Sequence, residues 1–401
     1  MGRWVLFLLN KVVSLAEFVP FVTDFAAVVI LVLAAVVWSA LFYSVLGEKV
    51  PTAGYAFFGA VFLSSPLISE VFTYFLHNGI AIGYLCCGIS LCCVREWQSS
   101  TRKMQKGSGI RQKLGCLAVA KILTAAVFLW IAMGCYESFM ILWLAGLMLL
   151  LLTERITRGR QEKDIFATLV AGAVAALVAI VLRSVMIVVV TKAFHLEYLR
   201  GEAVQRSVTE MLGWMLQPGA FGELAMILKR TFVLYGVFAY AYLPIRIFIL
   251  SAAAILVVTL VRVIRGRDLW ALLLLPAAYL AAFSLLFIEG KATLYRSAQF
   301  LPVFCGYGAL LFVYGIWQLT GTLAPKAKNT DGRKISAGVR ALAVLVLVVI
   351  LWNQCMDMTR WFYIDKKKYD AAVKQIEDIV YIRDTIGFEG LPENLEEIAK
   401  A

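Results

Sequence analysis

Long apolar runs alternate with short polar connections along the chain. Runs of near-spanning length fall at 25–47, 55–67, 79–94, 117–134, 138–153, 165–191, 246–263, 269–288, 298–319 and 341–356. A helix rising 1.5 Å per residue needs about 20 apolar residues to cross a hydrocarbon core of about 30 Å. The pattern predicts an all-α, polytopic membrane protein of about ten spans. Between Leu114 and Leu152 only Lys121 and Glu137 carry charge. That run is long enough for two crossings, with the turn falling at Gly134-Cys135-Tyr136-Glu137-Ser138.

Outside the spans the pattern changes character. The first twenty residues interleave Trp4, Leu6, Phe7, Leu9, Val12 and Val13 with Arg3, Asn10, Lys11 and Glu17. That mixture suits a helix lying in the interface. A polar connection at 192–245 has room for helices of its own. After Trp361 come Lys366-Lys367-Lys368, an amphipathic stretch and an acidic end. There is no repeat of fixed period and no low-complexity linker. The expected organisation is a membrane domain, 1–356, with an interfacial helix at 1–20 and an outer loop at 192–245, followed by an extracytoplasmic tail, 357–401.

The connections carry a second signal. Four of them are strongly basic: Arg95 to Lys113, Arg155 to Lys163, Arg262 to Arg267, and Lys326 to Arg340. Lys and Arg mark cytoplasmic loops, and an even number of crossings separates each pair. With these loops inside, Glu70–Asn78, the turn at Glu137, the loop 192–245, the turn Glu289–Arg296 and the tail all face outward. Ten crossings also leave the N-terminus outside, so a further span upstream of Met1 is expected.

Composition narrows the class. The chain is 62% hydrophobic and 16% charged, far from the half apolar and quarter charged of soluble domains. Its net charge of +12 is accounted for by the basic loops and does not imply nucleic acid. No cleavable signal peptide is visible in the first twenty residues. The eight cysteines include the doublets Cys86-Cys87 and Cys92-Cys93 inside an apolar run, which lack the spacing of a zinc site. With His77 and His195 the only histidines, neither a metal nor a cofactor is expected.

The candidate chemistry gathers on the outward side. Arg183, Lys192, Arg200, Arg206, Lys229, Arg230, Arg246, Lys291, Arg296 and Arg360 map there or to that boundary. Snorkelling from helix ends explains many of them. Arg246 and Arg296 stand beside span starts, and Arg suits bidentate phosphate binding. Among the carboxylates, Glu70 and Glu137 lie against apolar spans, where an acidic group is costly and a functional candidate by default. Each could belong to a site or to a structural ion pair. Pro66 in Ser64-Ser65-Pro66-Leu67 breaks a helix just before Glu70, freeing backbone groups that need a polar cavity.

Pro66 through Tyr74, then a short span, a basic loop and Gly134-Cys135-Tyr136-Glu137 resemble the bacterial Gtr type II glucosyltransferase family. The start, Gly2-Arg3-Trp4 with Leu6 to Leu9, and the segment Met358 to Tyr363 with Tyr369-Asp370 resemble it too. Glu137 stands where that family usually has Gln. The resemblance implies a GT-C glycosyltransferase fold in the bacterial cytoplasmic membrane. Its implied partners are a polyprenyl-phosphate sugar donor, a glycan acceptor such as O-antigen, and membrane lipid. It places the catalytic acid in a first outer loop, which would lie upstream of Met1, so no catalytic residue is assigned here. Asp24 lacks a context that would make it the base.

The expected function is transfer of a sugar, glucose by resemblance, at the outer membrane face. A carboxylate would deprotonate the acceptor while basic groups stabilise the departing lipid phosphate. Arg246, Lys291 and Arg296 are the candidates for phosphate contact. Glu70, Tyr74, His77, Tyr136 and Glu137 are the candidates for lining the sugar or acceptor cavity. Two alternatives stand beside this reading: a lipid-linked-sugar flippase, for which paired inverted halves would be the signature, and a non-catalytic membrane subunit.

Overall fold

The computed structural model describes residues 3–14, 20–65, 67–68, 77–105, 111–158, 162–194, 213–236, 245–266, 268–289, 298–323 and 330–386. Among these residues there is no strand. The chain divides into two compact units, Met1–Leu351 and Trp352–Ala401.

The first unit opens with α1 (Trp4–Ser14), α2 (Pro20–Leu46), a 3-10 turn (Gly47–Lys49) and α3 (Thr52–Leu63). Four long helices follow: α4 (His77–Gln105), α5 (Arg111–Cys135), α6 (Phe139–Arg158) and α7 (Glu162–Ala193). A second 3-10 turn (Trp214–Leu216) and α8 (Ala220–Gly236) lie within the 192–245 loop. The unit continues through α9 (Ile245–Gly266), α10 (Leu269–Ala282), α11 (Ser284–Glu289), α12 (Phe300–Leu323) and the first part of α13 (Thr330–Ile386). The rest of α13 belongs to the second unit. There Lys366, Lys367 and Lys368 are exposed, with the Lys367 ammonium 4.8 Å from the Tyr363 ring centroid.

Among the described residues eight helices are long and apolar enough to cross a membrane: Val22–Lys49, Asn78–Ser99, Gly115–Cys135, Phe139–Thr157, Ile165–Ala193, Ile247–Gly266, Phe300–Gly321 and Ser336–Arg360. The chain is thus a multi-pass, all-helical membrane protein. The runs predicted at 55–67 and 269–288 form shorter helices. α3 has 12 residues and rises about 18 Å. α10 has 14 residues with Pro276 inside it, and a break at Phe283 separates it from the six residues of α11.

α6 is the axis of the first unit: 83% of its spanning window is buried, against 22% for α7. Around it pack α2, α4, α5, α10 and α12. Close approach depends on small residues, as membrane helix interfaces generally do. Trp38 of α2 is fully buried and donates its indole N–H to the Tyr84 carbonyl at 3.0 Å. A Cβ added at Gly146 of α6 would meet that ring and Leu91 at 2.7 Å. The peripheral helices leave apolar side chains such as Phe25, Leu177 and Val181 exposed, as lipid contact requires.

One end of the bundle is tied by buried charge. Arg95 of α4 pairs with Glu154 of α6, and Gln98 donates to the same carboxylate at 3.0 Å. Arg155 pairs with Asp268, whose carboxylate also caps α10 by accepting from the Trp270 and Ala271 amides at 3.1 and 3.3 Å. Lys49, past the end of α2, donates to the Thr157 carbonyl at 2.8 Å. The ends of α4 and α6 and the start of α10 adjoin basic connections, and Lys49 brings the end of α2 to them, so the contacts gather on one side the ends that the loop charges assign to one side. The turn between α5 and α6 lies at the opposite end of both helices.

Candidate functional site

The chain reverses between α5 and α6 at Tyr136-Glu137-Ser138. The last turn of α5 continues through Tyr136, whose amide donates to the Ala132 carbonyl at 3.1 Å. Ser138 then starts α6 by accepting from the Leu142 amide at 3.1 Å. Two residues before the turn, Gly134 admits α1: an added Cβ there would lie 2.5 Å from the Trp4 indole and 2.7 Å from Val5. Trp4 therefore sits buried against Trp130, with ring centroids 4.6 Å apart. The Arg3 guanidinium lies 4.1 Å from the centroid of the buried Tyr136 ring, within cation–π range.

Glu137 forms an ion pair with Arg183 of α7. The two side chains differ in solvation, at 58% exposed for Glu137 and 17% for Arg183. A guanidinium this deep on an otherwise apolar helix needs a partner, and Glu137 supplies one while leaving much of its carboxylate open.

Four polar atoms around this turn are buried without a hydrogen-bond partner: the indole nitrogens of Trp4 and Trp130, the Ser138 hydroxyl and Nε of Arg183. Buried polar groups are paired in the great majority of cases. Here the unpaired ones come from α1, α5, α7 and the turn itself. Aromatic faces, directional donors and a half-open ion pair together suit a polyhydroxylated ligand, which offers both C–H faces and hydroxyls.

A second polar feature lies deeper. The Tyr84 hydroxyl of α4 is bonded at 2.8 Å to both the carbonyl and the side-chain oxygen of Gln299, just before α12. Its ring meets Phe62 of α3 and Phe139 of α6 edge-on, with centroids 5.1 and 5.3 Å away. Ser64 and Ser65 are buried beyond the end of α3, leading to Leu67 and Ile68.

Of the residues singled out in the sequence, Tyr136 and Glu137 stand together in this turn. His77 is the first residue of α4. Two residues later Gly79 packs so closely on Leu6 of α1 that an added Cβ would clash at 2.1 Å, which brings the start of α4 toward the same corner. Arg246 is the second residue of α9, whose packing partners are α10 and α12. Glu70, Tyr74, Lys291 and Arg296 lie outside the described residues. Sequence reasoning did not place Arg3, Trp4, Trp130 or Ser138 at the site. For Arg183 it had the signal, a depth level with the outer edge of the span, but no partner for it. Among the described residues no group of three or more His, Cys, Asp or Glu is arranged to hold a metal.

The sequence model of a family described as "Glucosyl transferase GtrII" matches residues 1–313 of this chain. A stretch of 34 residues is 65% identical to the "Probable cell division protein WhiA" of Lachnoclostridium phytofermentans, covering 8% of this chain and 11% of that protein. The chain thus spans about a tenth of the length of that curated relative. No solved structure matches.

Proposed function

Because the chain belongs to the GtrII glucosyl transferase family and is a glycosyltransferase, we propose that it moves a glucosyl group from a polyprenyl-phosphate donor to a cell-surface glycan, at the outer face of the bacterial cytoplasmic membrane. The observation that carries this reading is the set of unpartnered polar atoms around Tyr136-Glu137-Ser138. They lie at the opposite end of α5 and α6 from the basic connections, and the positive-inside rule puts those connections in the cytoplasm. No nucleotide-binding loop is apparent on the basic side, which favours a lipid-linked donor over a nucleotide sugar.

The chemistry is a single displacement. The acceptor hydroxyl oxygen attacks the anomeric carbon as the bond from that carbon to the phosphate oxygen breaks. The electron pair leaves with the polyprenyl phosphate, the acceptor proton passes to a carboxylate, and the anomeric centre inverts. Arg246, Lys291 and Arg296 are the candidates to stabilise charge growing on the phosphate. Glu70, Tyr74, His77, Tyr136 and Glu137 would line the sugar or acceptor cavity. The carboxylate of Glu137, held on one side by Arg183, is suited to accept hydrogen bonds from sugar hydroxyls and so to position them.

The test is transfer by the full-length protein in proteoliposomes supplied with radiolabelled polyprenyl-phosphate glucose and an isolated surface glycan. Label moving into the glycan supports the proposal. The donor assignment fails if no polyprenyl-phosphate sugar serves, or if a nucleotide sugar is used directly.

A further inference from the structure

Far from the Tyr136 turn, α9 and α12 part to leave a cavity of about 530 Å³, within the roughly 300–1,000 Å³ of ligand pockets. Its wall is apolar for most of its length, through Leu250, Val257, Phe312 and Leu319, and it ends on Arg262 and Arg265. Leu250, Val257 and Leu319 are also about half exposed on the outside of the bundle, so the cleft opens sideways, where lipid chains would lie. From Leu250 to Arg265 it follows α9 for roughly 22 Å, enough for an acyl chain to lie along it.

The two arginines differ from their neighbours at this end. Arg95 and Arg155 are paired with Glu154 and Asp268. Arg340 lies over the Trp317 ring and donates from Nε to the Thr320 hydroxyl at 2.8 Å. The Nε of Arg262 is buried without a hydrogen-bond partner, as is that of Arg155, but among the described residues no carboxylate pairs with Arg262. Arg265 is exposed at the end of the same helix. A long apolar slot ending on a partly buried and an exposed guanidinium has the shape and polarity of an acyl chain joined to a phosphate. Basic pockets between membrane helices on the cytoplasmic side characteristically hold anionic headgroups.

We propose that this cleft binds an anionic glycerophospholipid of the leaflet at the basic end, with an acyl chain between α9 and α12 and its phosphate on Arg262 and Arg265. Its charged end lies at the opposite end of α9 from Arg246, and its test does not depend on activity. Phosphatidylglycerol, phosphatidylcholine or polyprenyl phosphate is titrated onto the detergent-purified full-length protein, and bound lipid is counted by native mass spectrometry. Phosphatidylglycerol is expected to bind at least tenfold more tightly than phosphatidylcholine, with an affinity that falls as salt is raised. The double variant Arg262→Gln/Arg265→Gln should weaken phosphatidylglycerol binding at least tenfold. Ala253→Trp, which fills the cleft from an exposed position without changing charge, should do the same. Wild-type binding in either variant, equal binding of the two phospholipids, or salt-independent affinity would overturn the proposal. Polyprenyl phosphate displacing phosphatidylglycerol at equal or lower concentration would also overturn it, making the cleft a carrier site.

Discussion

At Glu137 a charge that is costly within an apolar run is tolerated because Arg183 meets it from the neighbouring helix. The side chain is too exposed for the pair to add much to stability, and its value lies in orienting two polar groups at a turn. A Glu137→Gln change keeps an oxygen that can accept from the guanidinium. If the carboxylate positions sugar hydroxyls, transfer should fall no more than a few-fold, whereas loss of all activity would make the carboxylate chemical. Glu137→Lys sets two cations against each other and should abolish binding of the sugar, read as loss of transfer with the protein still monodisperse. Gly134 gives a complementary test on the packing of α1. Gly134→Ala forces Trp4 and Val5 away from α5, and overpacking of this kind costs about 1–3 kcal/mol. The expected outcome is a lower unfolding temperature together with a changed tryptophan emission spectrum as Trp4 leaves Trp130.

Among the helices, the existence of the long ones was legible because twenty apolar residues in a row have few other solutions. The short ones were not: apolarity alone does not distinguish a 12-residue helix before Pro66 from a complete crossing, and the break at Phe283 is marked only by Ser284, whose hydroxyl donates to the Ala281 carbonyl at 2.8 Å. The ion pairs at the basic end were also hidden, since Arg155 and Asp268 lie 113 residues apart in sequence and each looks like an ordinary loop charge. Asp268 does two jobs, capping α10 and neutralising Arg155, and substitution can separate them. Asn caps a helix about as well as Asp, so Asp268→Asn should keep the cap and lose the charge. Asp268→Ala loses both. Stranding a buried partner costs about 3–5 kcal/mol and losing a cap about 1 kcal/mol. Both variants should therefore unfold more readily in detergent, the Ala variant by about 1 kcal/mol more. Equal stability of the two would show that the cap contributes nothing in this setting.

Across the whole molecule, only part of the candidate site could be read in advance. Tyr136 and Glu137 were marked by a charge in the middle of an apolar run. Arg3, Trp4 and Trp130 were not, because they reach the turn only through the packing of α1 on α5, which no local pattern encodes. Sidedness rests on a different kind of argument. The positive-inside rule would assign the four basic connections to the cytoplasm, and the buried pairs Arg95–Glu154 and Arg155–Asp268, with the exposed Lys49 contact, gather helix ends on that side. In the proposed orientation the turn at Glu137 and the 192–245 loop face outward, as the proposed glycan acceptor requires. Leu216 in that loop is 90% exposed, and Glu48, beside Lys49, is exposed as well. With the exposed Cys116 and Cys355 changed to Ser, a cysteine at Leu216 should react with a membrane-impermeant maleimide in intact spheroplasts. A cysteine at Glu48 should react only after permeabilisation. The opposite pattern would turn the protein over in the membrane, placing the Tyr136 turn in the cytoplasm and removing the ground for a donor presented at the outer face.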